Sequence, residues 1–269
     1  MFTELCLDKM VLEYNYWYFT SAIPPAICDQ IIEMGLTQLY ESETKYGKKS
    51  TEATTGGWKH KTERKTIPTQ TSSIQELKEN CVELDNIYVR DSNVAWLNDI
   101  NIYEILWPFV REANKNAQWN FEWDFTEDLQ FTKYTKGQFY GWHTDAASKP
   151  YKEFNPDTDK IVTDEYDDPI YENGELIPID QEATTTKSLI GKIRKLSSTL
   201  TLNDGSEYDG GDLRFDLGPH VEERYITLSE IRPKGSIVIF PSHIFHQVTP
   251  ITKGTRYSLV SWHTGNPWK

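Results

Sequence analysis

The rhythm of hydrophobic and polar positions changes once along the chain, near residue 118. Before that point the spacing predicts helices. Ile27, Ile31 and Met34 recur at helical intervals behind Pro24 and Pro25, which suit a first helical turn because the missing N–H costs nothing there. A second helix is predicted over Asp99–Ala117, carrying Ile102, Ile105, Leu106, Phe109 and Val110, with Pro108 expected to kink or divide it. Leu12–Phe19 is aromatic and partly alternating, which predicts a strand. Tyr40–Thr71, rich in Lys, Thr, Glu and Gly, reads as loop with at most one strand. From Gln118 onward short alternating segments follow one another between turn signals: FEWDF, LQFTKY, QFYGWHTD, LSSTLTLN, GDLRFDL, SIVIFPSH and RYSLVSWH. Many short strands at such intervals predict a β-sandwich or barrel.

Composition narrows this picture. The 269 residues carry 28 Lys+Arg against 41 Asp+Glu, a net charge of −13. That balance argues against nonspecific nucleic-acid binding or adhesion to an anionic membrane, both of which need a basic face. Aromatic residues reach 13%, enough large buried area for a globular core despite a modest 38% hydrophobic content. Cys6, Cys28 and Cys81 are odd in number and lack zinc or redox spacing, so free thiols in a reducing compartment are expected. No secretion signal or membrane span is read from the chain, which points to a cytoplasmic protein.

One stretch breaks the β pattern. Between Lys149 and Glu182 eleven acids face only Lys149, Lys152 and Lys160, with Pro150, Pro156, Pro169 and Pro178 among them. A solvated excursion is the plain reading. Its start four residues after Asp145 also allows a substrate-contacting loop, whose charge would favour a cationic substrate. A calcium loop at Asp157–Asp159 fails the required spacing.

The chemistry-bearing residues lie on both sides of that excursion. In a strand, residues i and i+2 share a face, so His143 and Asp145 converge. His246 ends the apolar run SIVIF, with His243 three residues earlier as an alternative. Two neutral imidazoles and one carboxylate can bind one face of Fe(II) and leave positions open for a chelating 2-oxo acid and dioxygen. Such a cosubstrate has a distal carboxylate that suits the planar fork of an arginine, and Arg256 stands ten residues after His246. His60, His220 and His263 have no partners at ligand spacing, and Trp142 and Trp262 read as barrel-wall packing.

The stretches LQFTKYTKGQFYGWHTD, KLSSTLTLND, EYDGGDLRF and PKGSIVIFPSHIFHQVTPITKGTRYSLVSWH resemble the Fe(II)- and 2-oxoglutarate-dependent dioxygenases of prolyl 4-hydroxylase type, in particular the PKHD-type hydroxylases. The resemblance implies a mainly β fold, a double-stranded β-helix or jelly roll, with the N-terminal helices packed on one sheet. Residues 1–117 would then support a catalytic core of residues 118–269, interrupted by the acidic insertion at about 147–190. It further implies that His143, Asp145 and His246 bind iron, because the family spaces its distal histidine and arginine by ten residues. Arg256 would hold the 2-oxoglutarate C5 carboxylate, Tyr134 would hydrogen-bond the cosubstrate and Thr201 would assist. The implied cofactors are Fe(II), 2-oxoglutarate and O2, with ascorbate as accessory reductant. The implied reaction hydroxylates an unactivated C–H of a prolyl or other amino-acid residue in a protein or peptide, or alternatively of a free amino acid or other small molecule. Nucleic-acid demethylation fits less well, since the further arginine expected six residues after the first is Trp262 here. A non-catalytic jelly-roll binding protein would not need the intact set of four charged and imidazole side chains.

Overall fold

The computed structural model describes residues 14–47, 51–53, 90–147, 149–155, 160–161, 171–172, 175–176, 183–219 and 221–268. The chain opens with β1 (Trp17–Phe19), α1 (Pro25–Tyr46), β2 (Arg90–Asp91), β3 (Asn93–Leu97) and α2 (Ile100–Asn116). There follow β4 (Phe125–Thr126), β5 (Leu129–Tyr134) and β6 (Phe139–His143). The insertion contributes β7 (Lys152–Asn155), β8 (Lys160–Ile161), β9 (Tyr171–Glu172), β10 (Glu175–Leu176) and β11 (Ala183–Thr184). The remainder is β12 (Ile193–Thr201), β13 (Tyr208–Gly210), β14 (Leu213–Asp216), β15 (Tyr225–Thr227), β16 (Ile237–Pro241), β17 (Phe245–Val248), β18 (Ile251–Gly254) and β19 (Arg256–Gly265).

Two antiparallel sheets build the body. The larger runs β1-β16-β12-β19-β5-β3, with β4 also paired to β19. The smaller runs β15-β14-β17-β6-β2. Alternation along the strands of the larger sheet separates two cores. Ile237 and Ile239 of β16, Leu129 and Phe131 of β5 and Leu259 of β19 join the helices in one cluster. Val238 and Phe240 of β16 and Tyr134 of β5 join Leu213, Phe215 and Val248 of the smaller sheet in the other. Both faces of the larger sheet are therefore covered, which is why all five residues of β16 are buried. This is the jelly roll, with helices on one sheet, that the sequence predicts.

The helices follow the sequence with three differences. α1 starts at Pro25 as expected but runs to Tyr46, so Tyr40–Tyr46, expected to be loop, is helical. Glu41, Glu43 and Lys45 are good helix formers, and Gly47, at φ 87°, ends the helix with its N–H donated to Glu43 O. The buried stripe of α1 is Cys28, Ile31, Gly35 and Leu39, whereas Met34 lies on the exposed side. α2 carries Pro108 inside it yet remains one helix, because Ile102, Tyr103, Leu106, Val110 and Ala113 bury its whole length. The Cys28 thiol is buried and its pKa is pushed up to about 11 by that burial. Cys6 and Cys81 lie outside the described residues.

Among the described residues, the insertion's strands pair only with one another, β11-β7-β8 and β9-β10. Its two ends are pinched together: Tyr151 N donates to Lys192 O at 2.9 Å and Gly191 N to Tyr151 O at 2.8 Å. No described helix is long and apolar enough to cross a membrane.

Candidate metal and cosubstrate site

β6 and β17 are neighbours in the smaller sheet, and their register sets His143 directly opposite His246. The register slips between His246 and Val248, whose partner is Tyr140. This bulge turns Tyr140 and His143 to the same side, with their rings stacked at 3.5 Å between centroids. Asp145 follows two residues after β6, and its N–H donates to Ser242 O at 2.9 Å. One ligand atom from each of His143, Asp145 and His246 lies within 4.8 Å of the others.

Both imidazoles are oriented by the same local device. His143 Nδ1 is 2.8 Å from Gly141 O and His246 Nδ1 is 2.9 Å from Ile244 O. A carbonyl can only accept, so each Nδ1 carries the proton and each Nε2 offers its lone pair. Those Nε2 atoms stand 3.6 and 3.5 Å from the two Asp145 oxygens. Burial, together with the neighbouring His143, lowers the His246 pKa to about 4, so the ring is neutral at pH 7. Burial alone would raise the Asp145 carboxyl, but His246, His143 and Arg194 outweigh it and hold it well below the usual carboxylate range. Two imidazoles and a carboxylate converging on one face are a donor set that fits Fe(II).

Arg256 starts β19 and pairs with Tyr134 on β5. It is 2% exposed. Its Nη1 donates to Ser258 Oγ at 3.2 Å, and its guanidinium lies 5.6 Å from the Tyr134 ring centre. Among the described residues it has no carboxylate partner. Thr201 faces Ser258 across the β12–β19 ladder. Thr201, Tyr208, Gly211 and Arg256 line one small cavity. Gly210 and Gly211 both have positive φ, and a Cβ on Gly211 would fall 3.0 Å from Arg256 Cδ. The YDGG turn thus packs directly on this arginine. A buried guanidinium without an anion is costly, and a carboxylate supplied by a ligand would relieve it.

The sequence profile of the 2OG-Fe(II) oxygenase superfamily matches residues 129–264, from the start of β5 to the last but one residue of β19. The chain belongs to this superfamily. A PKHD-type hydroxylase of Xanthomonas campestris pv. campestris (strain B100) is 30% identical over 132 residues, 49% of this chain and 41% of that one. A PKHD-type hydroxylase of Hyphomonas neptunium is 43% identical over 67 residues, 25% of this chain and 27% of that one. The chain thus spans well under half the length of these relatives. The solved structure of a viral collagen prolyl hydroxylase from Paramecium Bursaria Chlorella virus-1, in its 2OG complex, is similar in fold. It shows a TM-score of 0.50 at 12% identity, covering 94% of this chain and 97% of that one.

The other sequence candidates of this oxygenase fall outside the donor group. His243 is exposed and His263 is buried between Thr126 and Ser261, while His60 and His220 lie outside the described residues. Trp142 is half-buried beside Tyr225. Trp262 is buried under the Arg194 guanidinium, 4.3 Å from its ring centre. Sequence reasoning missed Tyr140, Glu127 and Arg194. Tyr140, three residues before His143, lies under the Arg90 guanidinium, and burial is the main cause raising its pKa to about 12. Glu127 and Arg194 form a half-buried bidentate pair, with both N–O distances at 2.7 Å. The one signal for them was a charge at the edge of an apolar strand, LQF after Glu127 and LSSTLTL after Arg194.

Proposed function

We propose that this protein is a 2-oxoglutarate-dependent dioxygenase that hydroxylates an unactivated C–H of a prolyl or other amino-acid residue in a protein or peptide. The overall change is R–H + O2 + 2-oxoglutarate → R–OH + succinate + CO2. Iron, bound by His143, Asp145 and His246, supplies the activation of dioxygen. The protein's own groups bind and orient. Arg256 pairs with the C5 carboxylate of 2-oxoglutarate, Tyr134 gives the cosubstrate a hydrogen-bond partner, and Thr201 helps shape the pocket around Arg256. The apolar cluster of Phe215, Phe240 and Val248, with Phe240 4.8 Å from the His246 ring, keeps water from the imidazoles. Ascorbate acts as accessory reductant, and the buried free thiol Cys28 suits a reducing cytoplasm.

The observation that carries this reading is the buried Arg256, without a carboxylate partner among the described residues, beside the same apolar cluster whose Phe215 and Phe240 flank His246 of the converging donor group. The experiment supplies Fe(II), 2-oxoglutarate and O2 and follows succinate, first alone and then with peptide and metabolite libraries screened for a +16 Da product. Succinate is expected even without substrate, and a +16 Da peptide is expected from the screen. No succinate under any condition would mean a binding protein instead.

A further inference from the structure

The neck of the acidic insertion is connected to the backbone of Asp145 by a continuous, largely buried chain of polar groups. Tyr151 sits at the neck, fixed through its main chain to Gly191 and Lys192. Its hydroxyl donates to Glu127 Oε1 at 3.0 Å. Glu127 takes both prongs of the Arg194 guanidinium, Nε to Oε1 and Nη2 to Oε2. The remaining Nη1 of Arg194 donates to the carbonyl of Asp145 at 3.2 Å. The Arg194 guanidinium lies over the Trp262 ring, 4.3 Å from its centre, a cation–π contact that favours this position.

The other side of the Asp145 peptide is held from the same place. Ser242 O accepts the N–H of both Asp145 and Ala146 at 2.9 Å, Ser242 N donates to Lys195 O, and Ser242 Oγ shares a hydrogen bond with Ser197. Asp145 is therefore gripped at its N–H and its C=O by groups anchored at the start of β12. Rotation of either peptide flanking Asp145 would swing its carboxylate against the two imidazoles. Groups of this kind, one step removed from a metal, orient the ligands and set affinity.

We propose that Tyr151, Glu127 and Arg194 are positioning residues that tie the insertion's neck to Asp145, so that what binds or strains the insertion alters how tightly the metal is held. This rests on the metal-site reading given above. Coupling of that kind is reciprocal: metal binding would in turn stiffen the neck. None of the three residues touches reacting atoms.

The test uses the full chain and Mn(II), a redox-inert probe whose free-ion signal in electron paramagnetic resonance reports binding. His246→Ala first checks the metal site itself. If wild type binds no Mn(II), or binding survives that change, the metal-site reading fails. Given binding, Arg194→Lys keeps the charge opposite Glu127 but loses the third prong, and is expected to weaken Mn(II) binding about 10–100-fold at an unchanged melting temperature. Tyr151→Phe is expected to weaken it about threefold, and the double variant no further than Arg194→Lys alone, because both act through one chain. Should Arg194→Lys fail to fold, Glu127→Asp withdraws the clamp while preserving the ion pair and is read in the same way. Folded clamp variants with wild-type Mn(II) affinity would overturn the proposal, and fully additive effects would remove Tyr151 and the insertion from it.

Discussion

His143 and His246 each give their Nδ1 proton to a carbonyl two residues earlier, and this decides which nitrogen faces Asp145. Among the described residues this hydrogen bond is made by His246 and not by His243, which is exposed. His246→Ala is therefore expected to abolish succinate formation, whereas His243→Ala retains most of it, with both rates measured at saturating iron. A reversed pair of results would move the distal ligand. Arg256 poses a different problem, since a buried charge pair that loses one member costs about 3–5 kcal/mol. Arg256→Ala is expected to raise the apparent constant for 2-oxoglutarate by a factor on the order of a hundred or more, with metal binding intact. An unchanged constant would exclude the role. His263 gives a pH prediction. Trp107 Nε1 donates to Thr126 Oγ1, whose own proton then goes to His263 Nδ1, leaving His263 Nε2–H for Ser261. The chain uses every proton only with a neutral ring, and burial accordingly lowers the His263 pKa to about 3. The unfolded ring takes its proton near 6.5, the folded one near 3, so this contribution is full above pH 6.5 and is lost as pH falls toward 3. At about 1.4 kcal/mol per unit it amounts to up to about 5 kcal/mol. His263→Gln is expected to flatten the fall in stability between pH 6.5 and 3, measured by urea unfolding at each pH. At this scale the sequence was most legible where chemistry demands a residue type at a spacing, as with HxD and the arginine ten residues after His246. It was least legible for Glu127 and Arg194, which lie 67 residues apart and meet only through the fold.

Helix α1 illustrates how an element is decided by its neighbour. Its apolar residues predicted a stripe through Met34, but the groove over β5 admits the ring of Phe131 only where α1 has no side chain. A Cβ on Gly35 would fall 2.2 Å from the Phe131 ring. That close approach turns the stripe toward Gly35 and exposes Met34, and no local pattern in the sequence contains it. In an exposed helix, Gly→Ala stabilises by roughly 0.5–1 kcal/mol. Here the added methyl must displace an aromatic ring that is 0% exposed, and such overpacking costs about 1–3 kcal/mol. The second effect is the larger, so Gly35→Ala is expected to lower stability by about 1–2 kcal/mol in chemical denaturation, and Gly35→Ala with Phe131→Leu to recover part of it. A stabilised single variant would mean that the helix stands further from β5. Pro108 carries the same lesson in the other direction. Sequence alone makes it a breaker, yet five buried residues along α2 keep the helix in one piece.

For the whole molecule, the open question is what a strongly acidic excursion does beside a site whose described surroundings are rich in arginine. Its charge was legible at once, as was its departure just after Asp145. Its attachment was not, because the neck joins Tyr151 to Gly191 and Lys192 across forty residues of sequence and reaches the Asp145 carbonyl through side chains. The geometry of the neck dictates how the excursion should be tested. Deleting it from its root would remove Tyr151 and disturb Asp145, mixing an effect on substrate with one on metal. The informative replacement keeps the neck, exchanging residues 156–182 for a short Gly/Ser linker. That segment holds ten acids, all those of the insertion except Glu153, against the single Lys160. Such a field would steer a Lys/Arg-rich peptide toward the site over about one Debye length, roughly 8 Å at physiological ionic strength, and would fade as salt rises. With the neck intact, succinate formation without substrate is expected to match wild type. For a basic peptide found in the product screen, the linker variant is expected to show a higher KM at low salt, while its kcat is preserved. Wild-type KM is expected to rise with salt and to converge on the variant's value at high ionic strength. If the two enzymes instead share one KM at every salt concentration, the acids have no part in choosing the substrate, and the excursion's remaining role is the one its neck plays at Asp145.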